Sequence, residues 1–146
     1  MKRHPSLAHL SREHHGALIL SKLLQKDAPA YKGLPTNLEE KADYALNFYK
    51  EDLVTHFAEE EKILTIVRGI QPTLDVLIES IFSEHQELHS LFKLIDNNSD
   101  LAAHLYETGK KLEDHVRKEE RELFPMIQES CTEEMMTAID KSLTSK

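Results

Sequence analysis

Apolar residues recur at intervals of three and four through most of the chain, and four stretches keep that rhythm long enough to predict helices. The first, about residues 6–26, puts Leu7, Leu10, His14, Ala17, Leu18, Ser21 and Leu24 on one face, with Pro5 and Ser6 as start signals. A loop marked by Pro29, Gly33 and Pro35 follows over 27–35. The second stretch opens on the capping-box pattern Thr36-x-x-Glu39 and carries Ala42, Ala45, Tyr49, Leu53, His56, Glu60, Leu64 and Val67 inward, until Gly69 and Pro72 stop it. The third runs from about Pro72 to Ile95 through Leu74, Ile78, Ile81, His85, Leu88 or His89, and Phe92. After the polar turn Asp96-Asn97-Asn98-Ser99, the fourth runs from about Asp100 into Glu129. Its inward set is Leu101, Leu105, Thr108, Leu112, His115, Glu119, Leu123 and Met126, and Pro125 should kink or end it. A short fifth helix over 132–143 offers Met135, Ile139 and Leu143 to one end of the assembly.

Four long helices with short loops predict an all-α, up-down-up-down four-helix bundle, closed by the short C-terminal helix. No strand-like alternation competes. The 146 residues suit one domain, with the bundle over about 6–129 and the last helix over about 132–143. The formal charge of −8, from 18 basic and 26 acidic residues, argues against non-specific nucleic-acid binding, which needs a basic face. No apolar run reaches the ~18 residues of a membrane span. Polar residues from His9 to His15 interrupt the N-terminus where a signal peptide would be apolar, so the cytoplasm is the expected location. Cys131 is the only cysteine and cannot form an internal disulfide. It reads as an inert or weakly reactive thiol.

Nine histidines change the picture. Several of them occupy inward positions, often with a glutamate four residues on. Residues four apart on a helix lie about 40° apart on one face, so such a pair can grip one metal ion. The motifs are Arg12-Glu13-His14-His15, His56-x-x-x-Glu60, His85-x-x-x-His89 and His115-x-x-x-Glu119, one per helix. His56-x-x-x-Glu60 and His115-x-x-x-Glu119 echo each other, and each is followed by a second Glu and then apolar residues. A lone histidine on an apolar face is usually a satisfied core residue. Burying five histidines and two glutamates at one level without metal would cost several kcal/mol per unpaired charge. Imidazoles with carboxylates that can bridge fit a dinuclear centre, with iron the best-matching metal. Phase places His14 inward, while His15 is about 100° round and remains the alternative. Glu119 lies about 40° from His115, and Glu120, about 140° away, is its alternative. Glu59, Glu61, Glu120 and Glu122 read as solvated faces, His4, His9 and His104 as surface residues, and Tyr49 and Tyr106 as candidates to hydrogen-bond to the site.

These motifs, with the block Glu119-Glu120-Arg121-Glu122-Leu123-Phe124-Pro125 after His115, resemble a hemerythrin-like, HHE cation-binding domain over about residues 6–129. The resemblance implies a non-heme di-iron site in a four-helix bundle that binds O₂ or a related diatomic. It implies two Fe ions with a bridging oxo or hydroxo group. One iron would take His85, His89 and His115, the other His14 and His56, with Glu60 and Glu119 bridging. Oxygen carriers of the family have His-x-x-x-x-Asp on the last helix, and this chain departs from that pattern with Glu at +4. A binding protein is therefore the leading expectation. The alternatives are a di-iron redox enzyme acting on peroxide or nitric oxide or in iron-sulfur repair, and an iron or oxygen sensor. The expected wall of the site is Leu18, Leu53, Phe57, Ile81, Phe92 and Leu112.

Overall fold

The computed structural model describes residues 2–25 and 33–144, so most of the predicted 27–35 loop lies outside the described residues. Among the described residues every regular element is helical. Helix α1 (Pro5–Leu24) starts with Pro at its first turn, where a missing N–H costs nothing, and the His4 ring accepts from the Ser6 N–H at 3.1 Å. Helix α2 (Leu38–Phe48) begins one step later than the capping-box pattern predicts. Asn37, not Thr36, is its cap, accepting from the Glu40 N–H at 2.8 Å. Asn caps at least as well as Thr, and this start leaves Glu39 and Glu40 in the first turn, where the helix dipole favours negative charge.

A π turn, Tyr49–Leu53, joins α2 to α3 (Val54–Val67) as one long helix. Gly69, at φ 89°, makes the left-handed turn after it. Pro72 then opens α4 (Pro72–Lys93), with the Gln71 side chain accepting from the Leu74 N–H at 2.9 Å. A 3₁₀ turn, Leu94–Asp96, ends that helix, and Asp100 caps α5 (Leu101–Lys118). A second π turn, Glu119–Leu123, leads into α6 (Phe124–Ser130), and α7 (Glu133–Thr144) follows.

The second π turn carries the helix past Pro125. Phe124 N–H bonds back five residues to the Glu119 carbonyl, so Pro125 would owe a bond to Glu120 O that it cannot make. Arg3 Nη2 donates to that carbonyl instead, at 2.9 Å. The added residue also shifts the apolar face by one position. Ile127 is fully buried with Phe124, and Met126, expected inward, is only half-buried. In α7 the expected Ile139 is buried, Met136 rather than Met135 is buried with it, and Leu143 is half-buried. Leu18 and Leu101 are half-buried and pack against the core from its edge.

The four long helices pack in an up-down-up-down bundle. Helix α1 lies against α5 and α3, α4 lies against α3 and α5, and α7 packs on α1 and α3. The core divides into two apolar clusters. One holds Leu20, Tyr49, Phe57, Phe92, Leu105 and Leu112, and the other holds Leu7, Leu10, Ile63, Leu74, Phe124 and Ile139. A layer of buried histidine and glutamate belongs to neither cluster. No helix among the described residues is long and apolar enough to cross a membrane.

Helices α1 and α5 approach most closely at Gly109, where an added Cβ would meet Ser21 O at 2.6 Å and Leu24 Cβ at 2.9 Å. Gly109→Ala should therefore lower the urea midpoint. The overpacking of about 1–3 kcal/mol exceeds the gain of about 1 kcal/mol in helix propensity. A midpoint at or above the wild-type value would show that α1 can back away without cost.

Candidate metal centre

Six of the seven predicted ligands converge in the polar layer. His14 comes from α1, His56 and Glu60 from α3, His85 from α4, His115 from α5, and Glu119 from the start of the second π turn. None is more than 4% exposed. Their donor atoms form two groups, His14–His56–Glu60–Glu119 and Glu60–His85–His115–Glu119, with the two glutamates in both. His14 Nε2 lies 3.0 Å from Glu119 Oε1 and 3.3 Å from Glu60 Oε2, and His56 Nε2 lies 3.0 Å from Glu60 Oε2. On the other side His85 Nε2 is 3.1 Å from Glu60 Oε1, and His115 Nε2 is 3.3 Å from Glu119 Oε1.

Close as they are, several of these atoms do not hydrogen-bond. His56 Nε2, His115 Nε2 and both carboxylate oxygens of Glu119 are buried with no hydrogen-bond partner. Their separations satisfy an ion-pair distance, but the ring N–H directions miss the oxygens. Buried polar atoms left unpaired this close together are ones a bound cation would satisfy. With metal–ligand bonds of about 2.0–2.2 Å, adjacent ligand atoms stand roughly 2.9–3.5 Å apart, and the observed 3.0–3.3 Å matches that edge length. The donor set thus fits two cations sharing two carboxylates.

Each imidazole also has a second carboxylate behind it. Nδ1 of His56 donates to Glu13 at 2.8 Å, that of His85 to Glu61 at 2.7 Å, that of His115 to Glu84 at 2.7 Å, and that of His14 to Glu120 at 2.7 Å. The pattern runs round the bundle. The first long helix supports the histidine of the second, the second that of the third, the third that of the fourth, and the fourth that of the first. Placing the proton on Nδ1 leaves Nε2 as the ligand nitrogen and raises its basicity. Glu61 and Glu120, expected as solvated faces, are half-buried members of this ring, and Glu13 and Glu84 join them. The available signal was adjacency. Each of the four sits directly beside a residue of the centre, in Glu13-His14, Glu60-Glu61, Glu84-His85 and Glu119-Glu120.

The charges balance in a revealing way. Six carboxylates surround the four imidazoles, while Arg3 pairs with Glu120 at 3.1 Å and Lys118 with Glu84 at 2.7 Å. Two divalent cations with these two side chains would neutralise all six carboxylates with every imidazole neutral. Without metal, protons take that place. Burial alone would push His14 down, but the carboxylates of Glu119, Glu120 and Glu60 facing its ring hold it well above its ordinary value. Against the same burial, nearby carboxylates raise His56 to about 9, His85 to about 10 and His115 to about 9. Burial opposes the charge on Glu60 and Glu119 too, yet the surrounding imidazoles hold Glu60 well below the usual range and Glu119 at about 2.

His89, the seventh predicted ligand, is in neither group. It is half-buried, burial lowers its pKa, and its Nδ1 shares a hydrogen bond with the Tyr49 hydroxyl at 2.5 Å. Its ring stands edge-on to Phe57, which stacks on His85 with centroids 4.4 Å apart. Phe124, absent from the expected wall, stacks on His14 at 5.6 Å. His15 and Tyr106 are exposed, and burial raises the Cys131 thiol, which makes it a poor nucleophile.

Residues 5–127 match the hemerythrin HHE cation-binding domain. The chain belongs to that family. No curated protein and no solved structure matches it. In this hemerythrin HHE chain the buried groups take His14, His56, Glu60, His85, His115 and Glu119 from the motifs and leave out His15 and His89.

The metal-free protein should have a characteristic pH profile. The raised imidazoles stabilise the fold fully below their ordinary 6.5, and that contribution is lost as pH climbs through about 9 to 10. The depressed carboxylates contribute fully above 4.5, and lose it as pH falls toward about 2. Urea midpoints should peak between about pH 4.5 and 6.5 and decline steadily from there to about pH 9–10. A midpoint that rises from pH 6 to 9 would mean the imidazoles are already neutral. Separately, Glu84→Gln should weaken metal affinity about 10–100-fold in chelator competition, whereas exposed Glu107→Gln should leave it unchanged.

Proposed function

We propose that this chain holds two iron ions at the shared centre and binds O₂ or a related diatomic there. The observation that carries the reading is the pair of buried His/Glu groups joined through Glu60 and Glu119. His14 and His56 would hold one ion, His85 and His115 the other, and the two glutamates would bridge. Iron in such a site supplies electrons to a small ligand and can take them back.

The chain's own residues set the conditions for that chemistry. Outer carboxylates fix each imidazole tautomer and ring orientation. Phe57 and Phe124 stack on ligand rings and exclude water from two sides. A cavity of about 250 Å³ with Glu13, Phe48, Leu53 and His56 on its wall gives a small ligand an approach to the first group. A second reading, turnover of peroxide or nitric oxide, is supported by the Tyr49–His89 hydrogen bond beside Phe57. A phenol bonded to a neutral imidazole is suited to deliver a proton with an electron.

Anaerobic reconstitution followed by optical spectroscopy separates these readings. The diatomic-binding protein should take up two irons per chain and develop visible charge-transfer bands under O₂ that reverse on deoxygenation. Steady consumption of peroxide or nitric oxide with a reductant would favour the enzyme. A reconstituted protein without stoichiometric metal would sink both.

A further inference from the structure

His9-x-x-x-Glu13 repeats on α1 the spacing of His56-x-x-x-Glu60 and His115-x-x-x-Glu119, but it faces outward. His9 Nε2 lies 3.5 Å from Glu13 Oε2 and 3.9 Å from Glu59 Oε2 on α3. One donor atom from each of these three residues lies within 4.8 Å of the others. The other oxygen of Glu13 accepts from His56 Nδ1 at 2.8 Å. Glu13 therefore faces both the surface cluster and a residue of the buried centre.

The cavities repeat that connection. A groove of about 850 Å³ among α1, α3 and α7 has His9, Glu13, Glu59 and Asp140 on its walls, along with Arg12 and Lys62. The smaller cavity that reaches His56 shares Arg12 and Glu13 with it. Glu13 thus stands between the two cavities, with the surface cluster on one side and His56 on the other.

We propose that His9, Glu13 and Glu59 form an outer site for a divalent metal cation, from which the cation passes by way of Glu13 to the buried centre. The inference rests on the dinuclear reading of that centre. One imidazole with two carboxylates suits a borderline first-row dication. The site should be the weaker of the two, because water competes for ligands whose side chains are 52%, 36% and 19% exposed, and Arg12 and Lys62 stand nearby. The buried centre offers more ligands and excludes water, so transfer inward is favourable. A cluster of negative charge at the mouth of a low-dielectric path also raises the local cation concentration and speeds capture.

The test uses the metal-free full chain under anaerobic conditions with Fe²⁺ alone as probe. H9A/E59Q removes the outer ligands and leaves Glu13 on His56. Wild type should bind three ions per chain by equilibrium dialysis, two tightly and one weakly. The variant should bind only the two tight ions, with unchanged affinity, and stopped-flow filling of the centre should be about tenfold slower. The retained tight ions also show that the variant folds. Equal filling rates would overturn the loading role, and a wild type that saturates at two ions would overturn the outer site. A wild type that holds no iron would overturn the dinuclear reading, and this proposal with it.

Discussion

Everything in this bundle is arranged around six ionisable side chains buried at one level, four imidazoles and two carboxylates. Taking such groups out of water is expensive unless each is matched by opposite charge or a hydrogen bond. The structure meets that demand twice. On the inner side the imidazoles and the two shared glutamates face one another at 3.0–3.3 Å. On the outer side four more carboxylates take the remaining imidazole protons, each from the next helix round. Since every outer link crosses between helices, the ring fixes the rotation and height of each helix against its neighbours.

The surrounding fold serves that layer. Apolar clusters close it above and below, and α7 adds Met136 and Ile139 to one of them. The two long helices that supply the shared glutamates also carry the π turns. A π turn adds a residue to the helical ladder and is a common device where a helix must re-aim side chains near a functional site. In the fourth helix it lets Glu119 point inward and Glu120 reach His14, although the two are consecutive. Arg3 stabilises the arrangement by satisfying the Glu120 carbonyl that Pro125 leaves unpaired, pairing with the Glu120 carboxylate, and lying over Phe124 at 5.3 Å.

Without cations, the same layer is held by protons. Imidazoles that would accept a metal at Nε2 instead carry charge against Glu60 and Glu119, so metal uptake must displace protons, and the occupancy of the site is tied to pH and to the stability of the bundle. This coupling needs no moving domain, because the buried imidazoles come from all four long helices.

Periodicity alone determined the helices, the bundle and the inward phase of His14, His56, Glu60, His85, His115 and Glu119, because a regular helix converts spacing directly into direction. For that reason phase favoured His14 over His15 and Glu119 over Glu120 as the inward residue, and the first of each pair is the buried one. Only the tertiary structure decided the rest. Which glutamate supports which histidine is a contact between helices, and no spacing within one helix encodes it. The shift from Met126 to Ile127 comes from a π turn that pattern reading treats as regular helix. His89 has the same phase, one turn beyond His85, and its Nδ1 meets Tyr49 from the second long helix, a contact whose height along the bundle axis depends on how neighbouring helices slide past one another. The sequence thus determined direction around each helix axis, and packing decided height and partnership.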